Sequence, residues 1–281
     1  MTDFITIEIP TNGVGRIVLN SPGSANALTN DLLFGLDAAL TELSRDPGTR
    51  VVILAGAGSD FCIGEDPARR SPQLAGIDTV GNWGGFEAPA MEGYLAYAEE
   101  AFFELCWRWR NIPKPIIAEV QGRVAGAGLM LAWICDIIVA SDDASFLDHS
   151  VALGLNGTPY FALPWEVGIR KAKEMLFSGQ SMTASAAERL GMVNRTVARA
   201  HLAQETLELA QLIATQPTMG LRLAKMAVNQ VQDQQGFYKS LRAAMGLNHV
   251  GHGHHWACHG GPNAPGEVQL KEAAFERPPL A

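Results

Sequence analysis

Two short runs of alternating apolar and polar residues open the chain, Ile5-Thr-Ile-Glu-Ile and Gly15-Arg-Ile-Val-Leu-Asn. Their period of two predicts strands, and Thr11-Asn-Gly between them predicts a hairpin. From Leu28 to Leu43 the apolar positions recur at helical spacing, with capping side chains in Thr29-Asn-Asp and a stop at Asp46-Pro-Gly. Val51-Val-Ile-Leu-Ala is apolar throughout, as in a strand covered on both faces, and a glycine-rich turn follows over 56–66. Residues 67–92 hold four Gly and three Pro without a clear period, which predicts a lid over a pocket. Tyr94 to Arg110 reads as an aromatic-rich helix stopped by Asn111-Ile-Pro-Lys-Pro. Ile116-Ile-Ala-Glu-Val is then a strand, Gly122 to Gly128 a turn, Leu129 to Cys135 an apolar helix and Asp136-Ile-Ile-Val-Ala a strand. Strand and helix alternate over short loops, so the fold class is α/β.

After about Trp165 the pattern turns helical. A boundary near 200 separates a core (1–200) from a helical region (201–281) too thin to fold alone, which should pack on the core or on a neighbouring subunit. Its tail, 260–281, is rich in Gly and Pro and reads as irregular.

Composition narrows the function classes. The 281 residues are 47% hydrophobic and 18% charged, enough for a large core and a low-charge surface that could be buried between subunits. With 21 basic against 29 acidic residues, neither nucleic acid nor an anionic membrane is expected as partner. The start lacks the basic and apolar regions of a secretory leader, and no apolar run nears the roughly 18 residues of a spanning helix. Cys62, Cys106, Cys135 and Cys258 lack paired spacing, which predicts a reduced, cytoplasmic protein.

The segment Gly122-Arg-Val-Ala-Gly-Ala-Gly-Leu carries the first chemical signal. A strand running through glycines into a helix points backbone N–H groups outward at the helix start, where they can hold an anion or oxyanion. A dinucleotide site would need G-x-G-x-x-G early in a βαβ unit; here the final glycine is missing and the segment lies mid-chain.

Four ordered blocks then resemble the crotonase (enoyl-CoA hydratase/isomerase) superfamily. Leu19-Asn-Ser-Pro-Gly-Ser-Ala-Asn-Ala-Leu is similar to its opening, and Val52-Ile-Leu-Ala-Gly-Ala-Gly-Ser-Asp-Phe-Cys-Ile-Gly-Glu-Asp to its second block. Pro115 to Phe146 is similar to the third, and Leu176-Phe-Ser-Gly-Gln with Ala186-Ala-Glu-Arg-Leu-Gly-Met-Val-Asn to the fourth. The resemblance spans roughly residues 5–250. It implies a spiral of repeated β-β-α units, a C-terminal region that trimerises (a homotrimer or a hexamer), and an acyl-CoA substrate with no tightly bound cofactor. It also implies an oxyanion hole of two backbone N–H groups, aligned with Ile63 and Ala127, each typically worth about 3–4 kcal/mol to the transition state.

Hydratases of the family flank a bound water with two glutamates. Their positions here hold Met130 and Ser150, which cannot transfer a proton as glutamates would. Asp148, beside His149, resembles the position of an aspartate in a crotonase-fold hydrolase of cyclic β-diketones, and is the first substitute. Glu65 adjoins the oxyanion segment, and Glu119 sits in an apolar strand where burial would raise its pKa. Asp66 and Asp136 read as turn-fixing acids. Ala25, Ala27 and the pair Arg69-Arg70 align with the coenzyme A contacts. Trp83, Phe86, Trp107 and Trp109 suggest a roomy aromatic pocket.

Five of seven histidines cluster in His249-Val-Gly-His-Gly-His-His-Trp-Ala-Cys-His. His252, His255 and His259 have helical ligand spacing, yet the interspersed Gly argue against a rigid helix and no metal is expected; lining a neighbouring subunit's pocket is the other reading. Three functions compete: an enoyl-CoA hydratase/isomerase-like enzyme with a re-sited acid–base group, a C–C or thioester hydrolase using Asp148 and His149 on a bulky cyclic substrate, and a non-catalytic ligand-binding relative.

Overall fold

A computed structural model describes residues 4–65, 81 and 83–280. Strands β1 (Ile5–Thr11) and β2 (Val14–Leu19) form the expected hairpin, with Ile7 opposite Ile17. Helix α1 (Asn30–Arg45) follows, and Thr29 Oγ1 caps it by accepting the Leu32 N–H at 3.2 Å. β3 (Val51–Gly56) lies parallel to β2. One helical rod then runs from α2 (Met91–Ala98) through a π-helical stretch (Glu99–Glu104) into α3 (Leu105–Arg110).

β4 (Ile116–Val120), β5 (Arg123–Ala125), α4 (Ala127–Trp133), β6 (Ile137–Ser141) and β7 (Ser145–Leu147) come next. α5 (Leu163–Val167), α6 (Ile169–Ser178), β8 (Met182–Thr183), α7 (Ala184–Leu190) and β9 (Arg195–Val197) complete the core. The large sheet has the order β1-β2-β3-β4-β6-β9 and is parallel apart from the hairpin; β5, β7 and β8 form a small second sheet.

Both faces of the large sheet are covered, which is why Val51 to Ala55 is apolar without alternation. Val52 and Leu54 face α1 and the rod, with Leu32, Leu36 and Trp109 among the residues packed there. Val51, Ile53, Ile117 and Val139 face Leu202, Ala210 and Ala214 of α8 (Leu202–Ala214). The region beyond 200 thus begins by sealing the core.

Three further helices follow: α9 (Thr218–Gln234), α10 (Phe237–His259) and α11 (Glu267–Phe275). The sequence reading of 260–281 as irregular is corrected by α11, whose Ala274 and Phe275 pack on Ala125 and Leu147 of the small sheet. The histidine cluster is likewise helical, since α10 runs unbroken through Gly251 and Gly253. α9 buries none of its residues, and leaves Met219, Leu223, Val228 and Val231 exposed. Among the described residues no helix is long and apolar enough to cross a membrane.

Candidate active site

The first and second sequence blocks meet through Asn26, a fully buried side chain in a left-handed backbone conformation. Its Nδ2 donates to the carbonyls of Ala57 and Asp60, both at 2.9 Å, and its Oδ1 accepts the Ser21 N–H at 2.9 Å. This clasp holds the 56–65 turn against the 20–28 loop. Asp60 in turn grips Arg123 at 2.8 Å, and that guanidinium with the Ser59 hydroxyl holds the Asp60 carboxyl down at about 2, despite partial burial.

Beside this turn α4 begins. Ala127 is its first residue, so its N–H has no acceptor within the helix and points outward at the positive end of the dipole. Gly64 lies against it. A methyl group added at Gly64, where φ is +87°, would come within 3.0 Å of Ala127 N and 2.7 Å of Ala125 O. The predicted partner donor is corrected: the Ile63 N–H is taken by the Ala25 carbonyl at 3.2 Å. Strand-like pairing of 62–65 with the first block and β5 turns that amide away from Ala127.

A cavity of about 50 Å³ opens at Ala127. Glu65, Gly126, His149, Ser150 and Thr158 line it from the core, Tyr94 from α2, and Asn248, His252 and His255 from α10. Glu267 and Lys271 of α11 close it. Of the predicted proton carriers, the structure brings Glu65 and His149 to the cavity. The His149 ring lies against Gly126, where a methyl would meet Cε1 at 2.8 Å. Burial, reinforced by the Lys271 charge, pushes its imidazole down to about 3, so the ring is neutral at physiological pH.

Asp148 is corrected as a proton carrier. It is fully buried behind the cavity wall, Oδ1 accepting the Ser150 N–H at 3.0 Å and Oδ2 the Thr158 N–H at 3.3 Å. Burial raises its pKa against these bonds. Its work is to tie the 148–150 turn to the 157–158 loop. Glu119 is corrected as well: its Oε1 accepts from Arg16 Nη2 at 2.6 Å on the large sheet, away from the cavity. Asp136 is structural, accepting from the Ile116 N–H and from Lys225, both at 2.8 Å. Met130 is fully buried in α4, and Ser150 lines the cavity without supplying a carboxylate.

Ala25 offers its carbonyl to Ile63, and Ala27 is buried. Asp66, Arg69 and Arg70, with most of the predicted lid, lie outside the described residues. The expected aromatic pocket is not what the described residues form. Trp109 is buried with Nε1 donating to Asp37 at 2.7 Å, and Trp107 packs on Tyr238.

Residues that sequence reasoning missed complete the site. Lys271 pairs with Glu267 at 2.7 Å and donates to the Glu65 carbonyl at 3.3 Å, joining α11 to the oxyanion turn. The Tyr94 hydroxyl lies 3.1 Å from His252 Nε2, and His252 Nδ1 lies 2.6 Å from the Pro262 carbonyl. Because a carbonyl can only accept, Nδ1 carries the proton and Nε2 receives the Tyr94 hydroxyl. No three His, Cys, Asp or Glu side chains among the described residues gather as a metal site, and α10 turns His252 and His255 to different partners instead.

This combination of a spiral α/β core and a helix start opening on a covered cavity defines the crotonase fold, and known proteins agree. A structure from Mycobacterium smegmatis described as an enoyl-CoA hydratase superposes with a TM-score of 0.85 at 40% identity, covering 93% of this chain and 100% of that one. An enoyl-CoA hydratase/isomerase from Xanthobacter autotrophicus Py2 gives 0.78 at 29% identity, over 98% and 93%. The chain is 38% identical to EchA13 of Mycobacterium tuberculosis, named an enoyl-CoA hydratase, over 95% of this chain and 86% of that protein. It is 33% identical to 1,2-epoxyphenylacetyl-CoA isomerase of Escherichia coli, over 83% and 84%. The profile of the enoyl-CoA hydratase/isomerase family matches residues 10–80 and 85–254, and the chain belongs to that family.

Proposed function

We infer that the chain is an acyl-CoA enzyme that polarises a thioester carbonyl at the Ala127 N–H and forms an enolate there. The observation that carries this reading is the outward-facing N–H at the start of α4, set against Gly64 at the mouth of a covered cavity. A fixed donor aimed at a developing oxyanion is commonly the largest single catalytic contribution. The second donor is assigned to the Gly64–Glu65 stretch, since Ile63 is engaged by Ala25.

With Met130 and Ser150 at the glutamate positions and Asp148 turned inward, proton transfer falls to Glu65, beside the neutral imidazole of His149. A single carboxylate suits an isomerase better than a hydratase: shifting a double bond needs one base that removes a proton and returns it, whereas hydration must also activate water. The hydrolase reading loses its base, because Asp148 does not reach the cavity. Coenzyme A itself would run past Ala25 and Ala27, with Arg69 and Arg70 as candidate phosphate contacts.

The unburied apolar positions of α9 support assembly through this helix, as a trimer or a dimer of trimers.

The deciding experiment compares hydration of crotonyl-CoA with conversion of 3-hexenoyl-CoA to the 2-enoyl ester, both read by enoyl-thioester absorbance. The expected result is isomerisation faster than hydration, reduced at least about 100-fold by Glu65→Gln. Binding of both esters with no turnover of either would leave a ligand-binding protein and defeat the enzymatic reading.

A further inference from the structure

Helix α11 is turned against its own hydrophobicity. Its inward positions are Glu267, Lys271 and Ala274, at i, i+4 and i+7, while Val268 and Leu270 lie exposed. Burial of apolar area would choose the opposite face, because sheltering a charged pair costs desolvation. The orientation is imposed from the C-terminal side. Ala274 and Phe275 pack on Ala125 and Leu147, and the Arg123 guanidinium carbon lies 5.2 Å from the centre of the Phe275 ring. Further on, the Leu280 N–H donates to the Ser181 carbonyl at 2.6 Å, and the Leu280 carbonyl accepts the Thr183 N–H at 3.2 Å, so the tail is clipped to β8. The result is an ammonium carried to the cavity wall, its side chain only 14% exposed, between Glu267 and the Glu65 carbonyl.

Lys271 thus stands beside the turn to which the second oxyanion donor is assigned. Its charge is felt across the cavity as well, where it disfavours a proton on His149, whose ring lies on Gly126 next to Ala127. A backbone N–H offers a partial charge to a developing oxyanion, whereas an ammonium in a covered cavity offers a full one with little screening. We propose that Lys271 stabilises the thioester enolate by its charge, so that the oxyanion site is part backbone and part side chain. As the α proton leaves, the electron pair of its C–H bond moves into the thioester carbonyl, and the ammonium offsets the negative oxygen without giving up a proton. Glu267 is the counter-ion that lets the ammonium sit at a half-buried position. The inference rests on the acyl-CoA reading and adds a charged group to its chemistry.

The test uses acetoacetyl-CoA, whose enolate absorbs in the near ultraviolet, bound to the full-length protein at fixed pH. The wild type should hold a larger share of the ester as enolate than free solution does. Lys271→Gln keeps a donor for the Glu65 carbonyl but removes the charge, and should lower the enolate-to-keto ratio of bound ester about 10- to 100-fold, the size of a unit charge a few ångströms away in a partly screened site. Glu267→Gln removes the counter-ion, so its ratio should equal or exceed that of the wild type. The ratio is read on bound ester alone, so loss of folded protein does not mimic it, and Glu267→Gln still decides if Lys271→Gln does not fold. An unchanged ratio in Lys271→Gln would overturn the charge role. So would a fall in Glu267→Gln, which would make the pair a brace for α11. Binding of the ester with no gain in enolate over free solution would overturn the enolate chemistry, and failure to bind it the acyl-CoA reading, each taking this inference with it.

Discussion

Asp148 and Thr158, ten residues apart, are joined by a hydrogen bond from the Thr158 N–H to the Asp148 carboxyl at 3.3 Å, which holds that carboxyl behind the wall that Thr158 lines. With the second bond from the Ser150 N–H, a residue that reads as catalytic in sequence is a brace. Asp148→Asn should therefore cost about 1.5–3 kcal/mol of stability, since an amide can match at most one of the two N–H donors. Denaturant unfolding should show this loss, while kcat of the folded enzyme stays within a few-fold. An unchanged unfolding curve with kcat down 100-fold or more would return Asp148 to the chemistry.

His149 sets an acid limit on the fold. Its unfolded imidazole titrates near 6.5 and its folded one at about 3, so between these values the unfolded chain binds the extra proton. Stability should thus be full above about pH 6.5 and fall as the pH drops through this window, by an amount on the order of a few kcal/mol. Asp60, held at about 2, adds its own acid loss only below its unfolded value near 3.8. Between pH 4.5 and 7 the histidine works against Glu166, whose carboxyl burial raises to about 7 and whose contribution to stability is therefore lost as the pH rises there. The difference in urea unfolding between wild type and His149→Gln over this window isolates the histidine: the variant should lose the acid-side fall, and an unchanged fall would show that other groups cause it.

Gly64 tests the oxyanion geometry without touching a proton carrier. Gly64→Ala forces a methyl against Ala125 O and Ala127 N at a φ of +87°, a strain of roughly 1–3 kcal/mol. The chain must shift at the helix start, so kcat should fall about 100-fold with a smaller change in KM. A variant with wild-type kcat would place the oxyanion elsewhere.

The exposed face of α9 predicts its own outcome. Leu223→Glu combined with Val231→Glu should convert the proposed trimer to monomers in light scattering, because both side chains project from a helix that buries none of its residues within its own chain. An unaltered mass would move the interface to another surface.

How far the sequence reached depends on what each residue type can signal. The helix start at Ala127 was legible because glycines between strand and helix have a narrow range of uses, and the apolar run at Val51 announced a strand covered twice. Asp148 was misread for a local reason: β7 ends at Leu147, and the turn that follows sends neighbouring side chains to opposite sides, His149 to the cavity and Asp148 inward. Nothing in Leu-Asp-His-Ser records which way each one points. Ile63 failed similarly, since its amide belongs to Ala25, a partner fixed only when distant blocks meet. Gly251 suggested a break in the histidine cluster, yet it serves packing: a methyl there would lie 2.8 Å from Leu155, so glycine lets α10 approach the 154–155 loop. Lys271 and Glu267 gave no signal at all, because their role comes from where α11 lands.

The π-helical stretch at Glu99–Glu104 has a bearing on how this rod tolerates change. Such a stretch amounts to one residue more than an α-helix would use over the same span. It sets the angular phase between Tyr94, which faces the cavity, and Trp109 and Arg110, which bind Asp37 and Asp233. Deleting one residue there would make a more regular helix and turn one end by about 100° relative to the other. Either the tyrosine would leave its histidine or the tryptophan its aspartate, so at this point in the chain residue count, more than residue identity, is what an insertion or deletion would disturb.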